Sequence, residues 1–224
     1  MASDTLNSKT GGKLPKRYSL KEELFNSISH GIGALLSIAA LVILVAYASI
    51  QGDVWRIVSF SIYGFTLFFL YLSSTLYHSI FHEKIKQVFR VFDHASIFLL
   101  IAGSYTPITI LAIKGIWGWT LFGLVWGLAI TGIVLKVVRM DRIKHASLAL
   151  YLIMGWLLVV AIKPMLAQAP HGLLVWLVIG GLIYTLGVVF YACKKIPFNH
   201  GIWHLFVLGG SAAHYFGILF YLAI

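Results

Sequence analysis

His200 and His204 are four residues apart, and so are Ser74 and His78. On a helix that spacing puts both members of a pair on one face, so His200 and His204 can reach a single ion. Asp93 and His94 stand together at the head of a third apolar stretch. Three imidazoles and a carboxylate are donor types that zinc takes. Three protein ligands leave a fourth position for water, the arrangement of catalytic rather than structural zinc. Such an ion lowers the pKa of water toward about 7 and polarises a carbonyl. Asp93 could hydrogen-bond that water and accept its proton, and Ser74 could orient it or donate to a developing oxyanion. The plainer reading is that a histidine pair at this spacing only packs, and the competing functional use of such residues is a proton relay.

The elements that must position these residues are set by composition. Of 224 residues, 60% are apolar and 11% charged, against roughly 45–50% and about 25% in soluble chains. A spanning helix needs about 20 mostly apolar residues. Seven stretches qualify, at 26–50, 54–79, 92–113, 116–138, 146–167, 171–192 and 200–224. The runs are continuous rather than alternating, which excludes a β-barrel. The expected fold is therefore all-α: a polytopic membrane protein, a seven-transmembrane helical bundle, with its domain over residues 21–224. Residues 1–20 are polar, rich in Gly, Lys and Ser, and read as a disordered cytoplasmic tail. No small-residue cleavage site precedes the first span, as a signal peptide would require. With Cys193 the one cysteine, no intrachain disulfide can form.

The net charge of +10 comes from 17 Lys and Arg against 7 Asp and Glu. A basic balance can mean nucleic acid, but these residues lie between apolar runs, so the expected partner is anionic lipid at the cytoplasmic loops. One side of the bundle receives Lys9, Lys13, Lys16, Arg17, Lys21, Lys84, Lys86, Arg90, Lys136, Arg139, Arg142, Lys144, Lys194 and Lys195. The other receives Arg56, Lys114 and Lys163. By the positive-inside bias the amino terminus is cytoplasmic and the carboxyl terminus outside. That orientation brings His78, Asp93, His200 and His204 to one depth near the cytoplasmic face, on three different helices.

Other polar residues have weaker claims. His30 could support the site from behind, though hydrogen bonding at a helix end is the simpler expectation. His94 adjoins Asp93. His214, about 21 Å along the helix from His200, is too far to share the ion. It either lines a cavity with Ser211 or bonds a neighbouring helix, and the second is favoured. His82, His145 and His171 are expected in solvated loops. Glu22 and Glu23 are expected to cap the first helix or pair with lysines. Gly123 and Gly127 form a G-x-x-x-G expected to pack against a neighbour, as are Gly180–Gly181 and Gly209–Gly210. Pro107 and Pro164 should bend their helices, and Trp55, Trp117 and Trp119 should anchor at the interface.

Five stretches carry a family resemblance: E-L-F-N-S-I-S-H-G at 23–31, S-S-T-L-Y-H-S at 73–79, F-D-H-A-S-I-F-L-L-I-A-G-S-Y-T-P at 92–107, H-G-I-W-H at 200–204 and A-A-H-Y-F-G at 212–217. Together they resemble the hemolysin III family, the bacterial branch of the progestin and adipoQ receptor superfamily, which includes the adiponectin receptors. The resemblance covers everything after residue 20. It implies seven helices with a cytoplasmic amino terminus, in a bacterial cell membrane. It also implies a zinc ion near that face held by His78, His200 and His204, with Asp93 linked to it through water and Ser74 as the motif serine. The implied chemistry is that of a lipid amidase of the ceramidase type, with a place in membrane lipid homeostasis.

Three readings follow. The first is a zinc-dependent hydrolase of a membrane lipid amide or ester. The second is a non-enzymatic sensor or regulator of membrane state with a structural zinc. The third is a cytolytic pore, which the family name suggests; the spans carry no continuous polar stripe for a water-filled channel.

Overall fold

The computed structural model describes residues 18–140 and 142–224, with the side chain of Lys144 also left undescribed. The polar tail read as disordered falls, up to residue 17, outside the described residues. Among the described residues the chain is helical and contains no strand. Among the described residues, seven helical stretches are long and apolar enough to cross a membrane, at Leu20–Gln51, Val54–Ser79, Glu83–Ala112, Ile116–Arg139, His145–Gln168, His171–Ala192 and Asn199–Ala223. This is a multi-pass membrane protein.

The first helix, α1 (Leu20–Gln51), begins six residues before its apolar run because Ser19 and Glu22 form a capping box. The Glu22 amide donates to Ser19 Oγ at 3.3 Å, and the Ser19 amide donates to Glu22 Oε2 at 2.8 Å. Two otherwise orphaned amides are satisfied, so the helix can start in polar sequence. Gly52 closes it with φ 67°, and Asp53 opens α2 (Val54–Ser79) by accepting from the Trp55 and Arg56 amides. A left-handed residue followed at once by an N-cap makes a tight reversal, which pairs α1 and α2 along their length.

Helix α3 (Glu83–Pro107) starts nine residues ahead of its apolar run, at an exposed polar turn preceded by His82. It runs through Pro107 and loosens into a π-helical turn at Ile108–Ala112, so the distortion follows the proline. Gly115, at φ 79°, turns the chain into α4 (Ile116–Arg139). The fifth span is not one helix. It is α5 (Lys144–Gly155), a 3-10 segment at Leu157–Ala161, and α6 (Ile162–Gln168). The break precedes Pro164, which falls in the first turn of α6, where its missing amide is not needed. Helix α7 (His171–Ala192) leads through a short connection to α8 (Asn199–Ile218), which ends in a second π turn at Leu219–Ala223.

The helices pack α1 on α2, α2 on α3, α3 on α4 and α7 on α8, and α8 returns to α1. At one end of the bundle the Gln51 side chain donates to the Ala223 carbonyl, and Trp55 meets Trp119 edge-on. The three tryptophans expected as anchors are all largely exposed near that end. The candidate chemistry lies at the other end.

Two packing expectations need correcting. A Cβ at Gly123 or Gly127 would meet nothing within 4 Å. The inward stripe of α4 is instead Leu121, Val125, Ala129 and Gly132, and the G-x-x-x-G lies on the opposite, exposed face. The glycine pairs of α7 and α8 do lie at contacts: Gly210 faces the Tyr184 ring and Gly181 faces Trp156. Lys136, read as a loop cation, is 2% exposed on that inward stripe of α4.

Candidate metal centre

Two helices deliver the central residues. His78 is one residue from the end of α2, and His200 and His204 occupy the first two turns of α8. Helix α8 enters through Phe198, whose φ of 55° is left-handed and unusual for an aromatic residue. Asn199 then fixes the entry by donating to the Phe190 and Tyr191 carbonyls at the end of α7. The result is a convergence of His78, His200 and His204, all buried, with one ring nitrogen of each lying within 4.8 Å of the others. Nε2 of His78 is 3.2 Å from Nε2 of His200.

Partner chemistry sets two of the three tautomers. Nδ1 of His78 is 2.6 Å from Glu23 Oε2. A carboxylate only accepts, so Nδ1 carries the proton and Nε2 turns a lone pair toward the other histidines. Nδ1 of His204 is 3.2 Å from the carbonyl of Asn26, which also only accepts, and 3.3 Å from Ser29 Oγ. His204 is therefore also an Nδ1–H tautomer. His200 Nδ1 is buried without a hydrogen-bond partner.

This donor set fits a metal. Tetrahedral zinc with Zn–N near 2.0–2.1 Å puts ligand nitrogens about 3.3 Å apart, close to the His78–His200 separation. A ring whose far nitrogen is bonded to a carboxylate or carbonyl is the usual support of a metal-bound histidine. Buried nitrogens facing one another in low dielectric are costly unless something satisfies them. The three histidines can hold a metal ion.

The remaining predicted residues fall around this cluster. Asp93 does not join the group of mutually close ligating atoms, but it lines the same cavity as His200 and His204. Its neighbour His94 donates from Nδ1 to the Arg90 carbonyl at 2.9 Å and also lines the cavity. Ser74, one turn before His78, is 1% exposed, and its Oγ has no partner. His30 is not at a helix end: it is buried in α1, and neither ring nitrogen is hydrogen-bonded. The hydrogen bonding expected of it is absent; its ring instead stacks on His204 and meets Tyr71 edge-on. His214 donates to the Leu177 carbonyl of α7 at 3.2 Å, and Ser211 bonds the Tyr184 hydroxyl instead. His214 lines the far part of the cavity and takes no part in the cluster. His82, His145 and His171 are exposed at or near helix starts.

The cavity is partly open and has a volume of about 140 Å³. It starts at His200, His204 and Asp93 and continues past Leu100, Ile101 and Trp156 to His214. At the cluster end, Tyr18 stacks on His200 with centroids 5.1 Å apart. Burial raises the pKa of that phenol above its ordinary value, so it stays protonated.

Of the α1 residues at the cluster, the sequence points to His30 but not to Glu23 or Asn26 as partners of its histidines. As expected of this acidic pair, Glu22 is the cap and Glu23 pairs with a lysine, Lys86; the unexpected contact is the one Glu23 also makes to His78. A signal was available: Glu23, Asn26 and His30 stand at i, i+3 and i+7, a polar stripe on one face of an otherwise apolar helix.

A family profile for haemolysin-III related proteins matches residues 18–215. The chain is 50% identical to Hemolysin-3 of Bacillus cereus over 203 residues, covering 90% of this chain and 92% of that protein. It is 50% identical to a Hemolysin-3 homolog of Bacillus subtilis (strain 168) over 204 residues, with 91% and 96% covered. A human protein, Monocyte to macrophage differentiation factor, is 32% identical over 207 residues, with 90% and 84% covered.

Proposed function

The chain belongs to the haemolysin-III related family, and from that premise we propose that it is a zinc-dependent hydrolase of a membrane lipid amide or ester, active in membrane lipid homeostasis. One observation carries the reading: His200 and His204 of the three-histidine cluster line a mainly apolar cavity whose wall also holds Asp93. A structural ion would need the cluster but not the cavity. The cavity suits an acyl chain, with the scissile carbonyl at the histidine end.

His78, His200 and His204 would hold the metal. When bound there, a divalent ion supplies Lewis acidity that activates water and polarises a carbonyl. The chain's own residues do the rest. Asp93 takes a proton from the attacking water as its oxygen bonds the carbonyl carbon. The same carboxyl returns that proton to the nitrogen or oxygen of the leaving group as the old bond breaks. Ser74, with a hydroxyl committed to nothing else, donates to the oxyanion. The apolar wall around Leu100 and Ile101 excludes bulk water and aligns the chain.

In this reading the amino terminus and the histidine cluster face the cytoplasm, and anionic lipid meets the basic loops there. The test joins metal analysis of purified protein with lipid profiling of membranes carrying wild type or Asp93→Asn. Bound zinc together with a lipid product that Asp93→Asn abolishes supports the proposal. Bound zinc with identical lipid profiles sinks it, in favour of a metal that only staples α2 to α8.

A further inference from the structure

Glu23 is an acid inside a candidate membrane span, 8% exposed, and both of its oxygens are engaged. Oε2 lies 2.6 Å from Nδ1 of His78, and Oε1 accepts from Lys86 Nζ at 2.8 Å. Lys86 comes from the first turn of α3, so one carboxylate joins three helices. The side chain of His78 is fully buried, leaving its ring no solvent to bond instead.

We propose that Glu23 is the positioning residue of the three-histidine site: it accepts a hydrogen bond from Nδ1 of His78, and so fixes the tautomer and ring angle that present Nε2 to the shared ligand position. The inference rests on the metal-site reading above. Glu23 itself faces the outer side of the His78 ring and does not belong to the group of ligating atoms. Its part is orientation. A neutral imidazole is free to carry its proton on either nitrogen, and with the proton on Nε2 His78 could not bind a metal through that atom. The carboxylate removes that choice, and Lys86 holds the carboxylate in place through its other oxygen. Because His200 Nδ1 has no such partner, the order of the cluster is carried by His78 and His204, and both are set from α1.

Losing a supporting partner of this kind typically weakens metal binding by about 10–100-fold. The experiment uses the full chain, purified in detergent, freed of metal and titrated with Co²⁺ against a chelator. Wild type is expected to bind one ion with a ligand-field spectrum of low coordination number. Glu23→Gln, which keeps the shape and one accepting oxygen, is expected to bind about tenfold more weakly. Glu23→Leu is expected to approach a hundredfold loss, with Glu23→Asp recovering part of it. At saturating cobalt the band should shift in Glu23→Gln but not in Glu22→Gln, which alters only the exposed cap. Wild-type affinity and spectrum in the Glu23 variants, whatever their metal-free melting temperature, would overturn the assignment and leave the metal site standing. Failure of wild type to bind cobalt would overturn the metal reading and this inference with it. Should Glu23→Leu not fold, Glu23→Gln and Glu23→Asp decide the matter through the same band.

Discussion

The ring of His30 lies flat on the ring of His204, with centroids 3.5 Å apart and planes 8° from parallel. Tyr71 meets His30 edge-on at 5.0 Å. His30 thus acts as a wall against which a candidate ligand rests, and its own nitrogens make no hydrogen bond. Shape should matter more than basicity at this position. His30→Phe, which keeps a flat ring, is expected to hold metal within about threefold of wild type. His30→Ala opens a space beside His204 and is expected to weaken binding about tenfold and to lower stability by roughly 2–4 kcal/mol, as large-to-small core changes do. Chelator competition and thermal melting read the two effects. Equal loss of metal in both variants would mean that the His30 nitrogens, not its face, are what counts.

Metal removal should also register in the melting curve. His78 on α2 and His200 and His204 on α8 converge across helices distant in sequence, so an ion held by all three binds only the folded bundle. Binding of that kind adds stability as RT ln(1 + [L]/Kd), about 2.7 kcal/mol when free metal is 100 times Kd. Chelation is expected to lower the melting temperature and zinc to restore it, while His200→Ala melts at one temperature with or without zinc. An unchanged midpoint on chelating the wild-type protein would count against a bound ion.

The apolar runs gave the number of spans and their order, because continuous hydropathy over about 20 residues has few other solutions in a polypeptide. They located the ends poorly where capping governs, as at Ser19 and Glu22, since a helix held by its cap can begin in polar sequence. The i, i+4 spacing of His200 and His204 and the place of His78 at the end of its span were enough to bring the three histidines together. What stayed hidden was the support. Glu23 and Asn26 reach His78 and His204 across more than 50 residues of sequence, and no local pattern states which face of α1 turns toward α2 and α8. For the same reason Gly123 and Gly127 could not be told from Gly132: composition marks a small face, but only the packing says whether it is used.

That distinction predicts opposite outcomes for two glycines on α4. A Cβ at Gly132 would come within 2.5 Å of the Phe98 ring, which is fully buried and packed on Tyr151 at 4.4 Å. With no room for the ring to retreat, Gly132→Ala should cost about 1–3 kcal/mol. Gly127 has open space before it, so Gly127→Ala should be neutral or stabilising by up to about 1 kcal/mol through helix propensity. Thermal or denaturant melts of the two variants in the same detergent check this. A loss at Gly127 as large as that at Gly132 would show that the exposed face of α4 is covered in the assembled protein.

The single cysteine offers a direct reading of orientation. Cys193 is partly exposed just past α7, beside the exposed Lys194 and Lys195 and next to the connection that leads into His200. In the orientation proposed above, from the positive-inside bias, this connection and the histidine cluster with it lie on the cytoplasmic side. A membrane-impermeant maleimide should therefore leave Cys193 unlabelled in intact cells whose outer barrier has been removed, and should label it in inverted vesicles. Moving the thiol reverses the expectation. Lys114 is exposed in the connection between the third and fourth spans, so Lys114→Cys in a Cys193→Ser background should label from outside and not in inverted vesicles. Labelling of Cys193 from outside would invert the bundle, and would turn the mouth of the histidine cluster away from the cytoplasm.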